Sequence, residues 1–243
     1  MKILAAFMLL YVAASFAQDA IPAGTILPVQ LNSSVRSDKA RRGDAVEATV
    51  MQNVPLPGNL KLRAGTKVIG HVADVRLRNS GSERVISLQF DAVLVRKKRI
   101  PVLMSLRAMA SMMEISDAQV PETGADRGTS EFEWTTDQIG GEVNYRAAGI
   151  VADGLNIVGH SAMDSTLLRV RANPGMKCRG AVGGNASPQA LWVFSSNACG
   201  LYGFPDVALV HAGRSNPMGE IDLASRKGNV NLRAGSGMLL RVH

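Results

Sequence analysis

The stretch "VISLQFDAVLV", residues 85 to 95, sets Ile86, Leu88, Phe90, Ala92 and Leu94 against Ser87, Gln89 and Asp91 in strict alternation. Successive side chains of an extended chain point to opposite faces, so this period of two is the signature of a half-buried strand. After "RKKR" the run "IPVLMSL" places Ile100, Val102, Met104 and Leu106 on one face, and the two runs predict a hairpin with Lys97 and Lys98 near its tip. The same grammar recurs in "DAVEATVMQNV", "TKVIGHVADVRL", "TLLRVRA", "VALVHAG" and "GEIDLAS". No window carries a long 3.6-residue stripe. The fold class predicted is all-β, with a small barrel or sandwich as the first domain.

One phrase is written three times. "IPAGTILPVQL" (21–31), "LRAGTKVIGHV" (62–72) and "LRAGSGMLLRV" (232–242) each give Ala-Gly-Thr/Ser and then an apolar-rich run. Glycine tolerates the positive φ of a tight turn, so the phrase reads as a turn that launches a strand. Its third copy predicts that the last strand returns to the first domain and closes it.

Charge divides the chain. Residues 18–107 carry a net +8, residues 108–142 a net −7, and residues 143–243 a net +5, within an overall +7. The expected organisation is a barrel-like domain over 18–107, completed by 228–243, an acidic linker over 108–141, and a second β lobe over 142–227. Within the linker, "RAMASMM" has the Ala and Met content of one or two helical turns. Residues 1–17 read as a secretory signal: Lys2, an apolar core, then Ser15 and Ala17 as the small residues at a cleavage site. Export is therefore expected, to a periplasmic or extracellular location, with no transmembrane segment left after cleavage. In such an oxidising compartment Cys178 and Cys199 most simply form one disulfide stapling the second lobe.

The N-terminal run resembles a known family. Pro22-Ala23-Gly24-Thr25, Gly43-Asp44, Ala64-Gly65-Thr66 and Gly70, together with the hairpin at 85–106, are similar to the outer-channel β-barrel domain of TrbI-type conjugal-transfer and type IV secretion proteins. The likeness covers residues 20–106. It implies a small barrel of that shape in the cell envelope. The membrane helix and Pro-rich stretch that usually precede that barrel, and the helical antenna that forms the pore, have no counterpart in this sequence.

Chemistry is sparse. His71, His160, His211 and His243 are the only histidines. In "VGHSAMD" His160 and Ser161 would face opposite sides of a strand, so they make no nucleophile and base. No two histidines stand at metal-binding spacing and no phosphate-cradling loop is present. No catalytic, cofactor or metal residue is assigned, and an envelope hydrolase using His160 or His211 is the third-ranked reading.

Two binding surfaces are expected instead. Trp192, Phe194, Tyr202 and Phe204 hold half of the eight aromatics after residue 17. They offer either a stacking surface for sugar rings or a partner's apolar side chains, or simply the core of the second lobe. Arg41, Arg42, Arg96, Lys97, Lys98 and Arg99 would form a basic patch at one end of the barrel if the fold gathers them. Aromatics are not interleaved with these basic residues, so nucleic acid is disfavoured. The function expected is a non-enzymatic binding or scaffolding module of the cell envelope, whose partner is an envelope protein or a cell-wall glycan. The alternative is a carbohydrate- or peptidoglycan-binding module built on the aromatic cluster.

Overall fold

The computed structural model describes residues 21–78, 83–119, 135–137, 139, 143–145, 150–153, 156–162, 165–169, 188–194 and 198–243, with only the backbone described for the strands between 135 and 190. The first half of the chain forms β1 (Ile26–Leu31), β2 (Val35–Arg36), β3 (Ala45–Val50), β4 (Val54–Leu56), β5 (Leu60–Leu62), β6 (Lys67–Arg78), β7 (Glu83–Val95), β8 (Lys98–Pro101), β9 (Met104–Ala110) and the short helix α1 (Met112–Ala118). Short strands follow: β10 (Thr135–Asp137), β11 (Val143–Tyr145), β12 (Ile150–Asp153), β13 (Asn156–Ala162), β14 (Ser165–Arg169) and β15 (Pro188–Ala190). The chain ends with β16 (Gly200–Tyr202), β17 (Val207–Ala212), β18 (Glu220–Ser225), β19 (Asn231–Leu232) and β20 (Gly237–Val242).

One sheet dominates. Its order is β16-β9-β20-β1-β3-β6-β7-β18-β17, with β8 added on β7. Its two edges, β16 and β17, are consecutive in sequence and approach each other, while β9 also approaches β7, β17 and β18 across the gap. The sheet is thus curled into a nearly closed barrel whose seam lies between β9–β16 on one side and β17 on the other. The all-β, barrel-like expectation holds.

The repeated phrase explains how the strands are locked. Gly24, Gly65 and Gly235 have φ of 87°, 85° and 89°, the value that the third residue of a type II turn requires. In each, the amide after the glycine donates to the carbonyl three residues back: Thr25 to Pro22, Thr66 to Arg63, Ser236 to Arg233. Each turn also grips the end of the neighbouring strand with two backbone bonds. Gly24 N–H donates to Val242 O and Val242 N–H to Thr25 O; Gly235 donates to Leu31 O and Leu31 to Ser236 O; Gly65 donates to Val50 O and Val50 to Thr66 O.

A fourth copy completes the set. In "RRGD" Gly43 has φ of 92°, Asp44 N–H donates to Arg41 O, and Gly43 and Asp44 exchange the same two bonds with Val72. The clasps are reciprocal within two antiparallel pairs, β1 with β20 and β3 with β6. The last strand does come home: β20 pairs Ile26–Gln30 on one side and Met104–Ala110 on the other.

Inside the barrel lies the main core, with Leu27, Val29, Val68, Leu88, Phe90, Leu106, Leu223 and Leu240 all fully buried. A second cluster covers the outer face of β1, β20 and β9, where Ile26, Leu239, Ala108 and Ala110 meet Ile115 of α1 and Leu191, Trp192 and Phe194. Ser111 caps α1, its hydroxyl accepting from Glu114 N–H.

Several boundaries are corrected. The end of the second lobe expected over 142–227 belongs elsewhere: β16, β17 and β18 are part of the main sheet, pairing with β9, with each other and with β7, while β12–β15 form a four-stranded sheet of their own. Alternation marks a strand as half-buried but does not say against which sheet, and proximity in sequence is no guide to it. Residues 108–118 of the linker expected over 108–141 are structured, since 104–110 is a fully buried strand and 112–118 a helix; residues 120–134 lie outside the described residues, as does the signal expected over 1–17. The hairpin expected from 85 to 106 is shorter. β8 ends at Pro101, Val102 N–H still donates to Asp91 O of β7 at 2.9 Å, and Met104 onward pairs with β20. Its tip is Arg96-Lys97, both at positive φ.

Candidate functional site

The seam of the barrel opens into a cleft of about 410 Å³. Leu201 of β16, Val207, Leu209, Val210 and Ala212 of β17, and Arg214 line it. Leu201, Val207 and Leu209 also pack on the barrel core, so the cleft is a continuation of the core that β16 and β17 fail to seal. The cause is local. β16 is only three residues long and pairs with Ala108–Ala110, so it leaves the preceding part of β9 without a strand neighbour on that side. The turn 213–219 fills that place: a Cβ at Gly219 would overlap Leu103, and the Arg214 guanidinium donates from Nε and Nη2 to Leu106 O at 3.3 and 3.0 Å.

Around Arg214 the outer face of β9 and β20 gathers positive charge. Arg107 is buried at 5% exposure. Burial, then the charges of Arg214 and Arg241, push its guanidinium down to about 10. Burial and Arg241 also lower Arg214. His243, whose Nε2 lies 2.6 Å from Ser105 Oγ, is lowered by burial, Arg241 and Arg214 in that order. Four cationic or titratable side chains from positions 107, 214, 241 and 243 thus share one field. Sequence reasoning missed all of them, since they lie up to 136 residues apart and no motif joins them. The available signal was the polar residue inside an apolar strand, Arg107 in "LMSLRAMA" and Arg241 in "GMLLRV".

A second polar pair lies nearby. His211 Nδ1 is 2.7 Å from Glu220 O and its Nε2 is 3.1 Å from Ser215 Oγ. Gly213 N–H also donates toward Nδ1 at 3.2 Å, so Nδ1 stands between a donor and an acceptor, and these contacts fit either ring tautomer. His71 Nδ1 meets Asp91 Oδ2 at 3.0 Å, and Asp91 also accepts from Arg99 at 2.7 Å. No group of three or more metal-ligating side chains occurs among the described residues, and none of their helices is long and apolar enough to cross a membrane.

The expected binding surfaces fare differently. Trp192 (4% exposed) and Phe194 (0%) are core of the second cluster. Trp192 N–H is further held by Gln52 Oε1 at 2.6 Å. Their side chains are buried among protein, the core alternative of the two expected for them. Tyr202 and Phe204 are half-buried on different clusters, and the Tyr202 hydroxyl accepts from Cys199 N–H. The basic patch is not gathered either. The Arg41-Arg42 turn is clasped to Val72, whereas the Arg96-Lys97 tip with Lys98 and Arg99 sits beside Lys67. Five residues of β6 separate the two, roughly 16 Å of strand.

The Cys178–Cys199 staple is not shown: Cys178 lies outside the described residues, while no described cysteine is free. The side chains of His160 and Ser161 are likewise outside them. No protein-family model matches the chain, and no curated protein does.

Proposed function

We propose that this chain is an exported, non-enzymatic binding module of the cell envelope, and that the barrel seam is where it binds. The observation that carries this reading is the cleft itself. It has a volume within the ~300–1,000 Å³ range of small-ligand sites, aliphatic side chains continuous with the core beside Cys199 and Gly200, and a single charged side chain among the described residues lining it. Export is supported by the Lys2-to-Ala17 pattern, and the resemblance of residues 20–106 to a TrbI-type barrel supports an envelope setting. Nile red, an uncharged dye that brightens in apolar surroundings, tests the site. The wild-type protein should take it up, and Val210→Glu should lose most of that signal, because Val210 is 44% exposed and lines the cleft. No uptake by the folded wild-type protein defeats the reading.

A hydrolase is the second reading, favoured by the contact between His211 and Ser215. A serine hydroxyl within hydrogen-bond distance of a histidine ring nitrogen, 3.1 Å here, is the start of a nucleophile and base. A fluorophosphonate probe decides between the two: labelling of Ser215 that His211→Ala abolishes would favour the enzyme.

A further inference from the structure

We propose that the seam cleft takes a single-chain acyl anion, its aliphatic tail along β17 and its carboxylate on Arg214. This rests on reading the cleft as a binding site and adds the class of ligand. The walls are aliphatic, with no aromatic platform for a sugar or base among the described residues lining them. Lining residues run from Val207 to Ala212 along β17, five steps of about 3.3 Å or roughly 16 Å, a length that suits an extended tail of medium length. The charged end is built. Two bonds to Leu106 O fix the guanidinium plane of Arg214, the preorganisation that carboxylate recognition by arginine uses.

The surroundings select for sign. Arg241 on β20 lowers the proton affinity of Arg107, Arg214 and His243, and Arg214 lowers that of Arg107 and His243. An anion placed among them relieves that repulsion, whereas a neutral head group gains nothing from it.

The field around His243 supplies an independent readout. It faces Ser105 of β9, Arg241 of β20 and Arg214 of the turn after β17. Its pKa is held below the ordinary histidine value by burial and then by these two arginines, so a bound carboxylate should move it upward.

Titration of the full chain with sodium decanoate and with decanol tests the proposal. Decanoate should bind at least about tenfold more tightly, as expected for a charge-assisted hydrogen-bonded head group. Arg214→Ala should erase that preference and leave decanol binding unchanged, with Arg214→Lys restoring part of it. Decanoate should also raise the His243 pKa seen by NMR in the wild-type protein, a readout that stands even where Arg214→Ala fails to fold. Equal affinity for decanoate and decanol overturns the acyl-anion proposal while leaving the cleft as a binding site. Binding of neither, with no Nile red uptake, defeats both. Tighter binding of an apolar peptide through its C-terminal carboxylate overturns the proposal in favour of peptide recognition.

Discussion

A methyl group at position 70 would overlap the Gln89 carbonyl oxygen and come within 2.9 Å of Phe90 Cδ1, because β6 and β7 shift register there, between Ile69 and Gly70. Gly70 is glycine for want of space. Gly65, five residues earlier, has nothing within reach of a Cβ and is glycine because its φ is 85°. Gly70→Ala should therefore cost about 1–3 kcal/mol, as forced overpacking does, and Gly65→Ala about 1 kcal/mol for placing a side chain in the left-handed region. Urea unfolding of both variants checks the order, and a milder effect at Gly70 would mean that the two strands part without penalty. The clasp glycines were legible in sequence where the flanking residues repeat, at 24, 65 and 235. Gly43 escaped because Arg42 and Asp44 replace the Ala and Thr of the phrase. There the Asp44 carboxylate accepts from Arg41 N–H, where Thr25 and Thr66 hydroxyls donate to a carbonyl. Same turn, different side-chain chemistry. Arg107, Arg214 and Arg241 escaped for another reason: their meeting depends on which strands become neighbours, and alternation does not carry that information.

Among the elements, β7 holds the far side of the barrel together. Its thirteen residues pair with β6, β8 and β18. Polar groups on three of these strands converge at Asp222, which is 8% exposed. Its carboxylate accepts from Ser87 at 2.6 Å and from Arg76 Nη2 at 2.6 Å, while Arg76 Nη1 also donates to Asp74 and Ser87. Removing the acceptor strands a buried hydroxyl and one edge of a guanidinium. Asp222→Ala should cost about 2 kcal/mol, and less once Arg76 is also alanine, since neighbours in one network do not add. A double-mutant cycle in urea reads the coupling; strictly additive losses would mean that the β6–β7–β18 network stabilises nothing as a unit. The existence of these strands was plain from their period of two, and β17 and β18 were both recognised as strands. Their neighbours were not. A run such as "EIDLAS" buries five of six residues, which period alone cannot assign to one sheet or another.

For the molecule as a whole, the order of strands makes the chain end structural. β20 is not an edge: it lies between β1 and β9, so it joins the N-terminal pair to the strand that carries Arg107 and one wall of the seam. Met238, Leu239, Leu240 and Val242 are all at 2% exposure or less. At about 1.5–3 kcal/mol for each large buried side chain, those four are of the order of a typical domain's entire stability. Two of the four clasps also join β1 to β20, one from each end. A chain lacking residues 229–243 should lose β19 and β20, leave the edges of β1 and β9 unpaired, and show no cooperative urea transition. Loss of the cleft should follow, since β16 and Leu106 reach the rest of the sheet through β9 and β20. The measurement is urea unfolding followed by tryptophan fluorescence, since Trp192 packs in the cluster that covers this face, with Nile red uptake as the second readout. A truncated chain that unfolds at the full-length midpoint would show that β1 and β9 need no strand between them. The barrel would then be closed by something other than its own last strand.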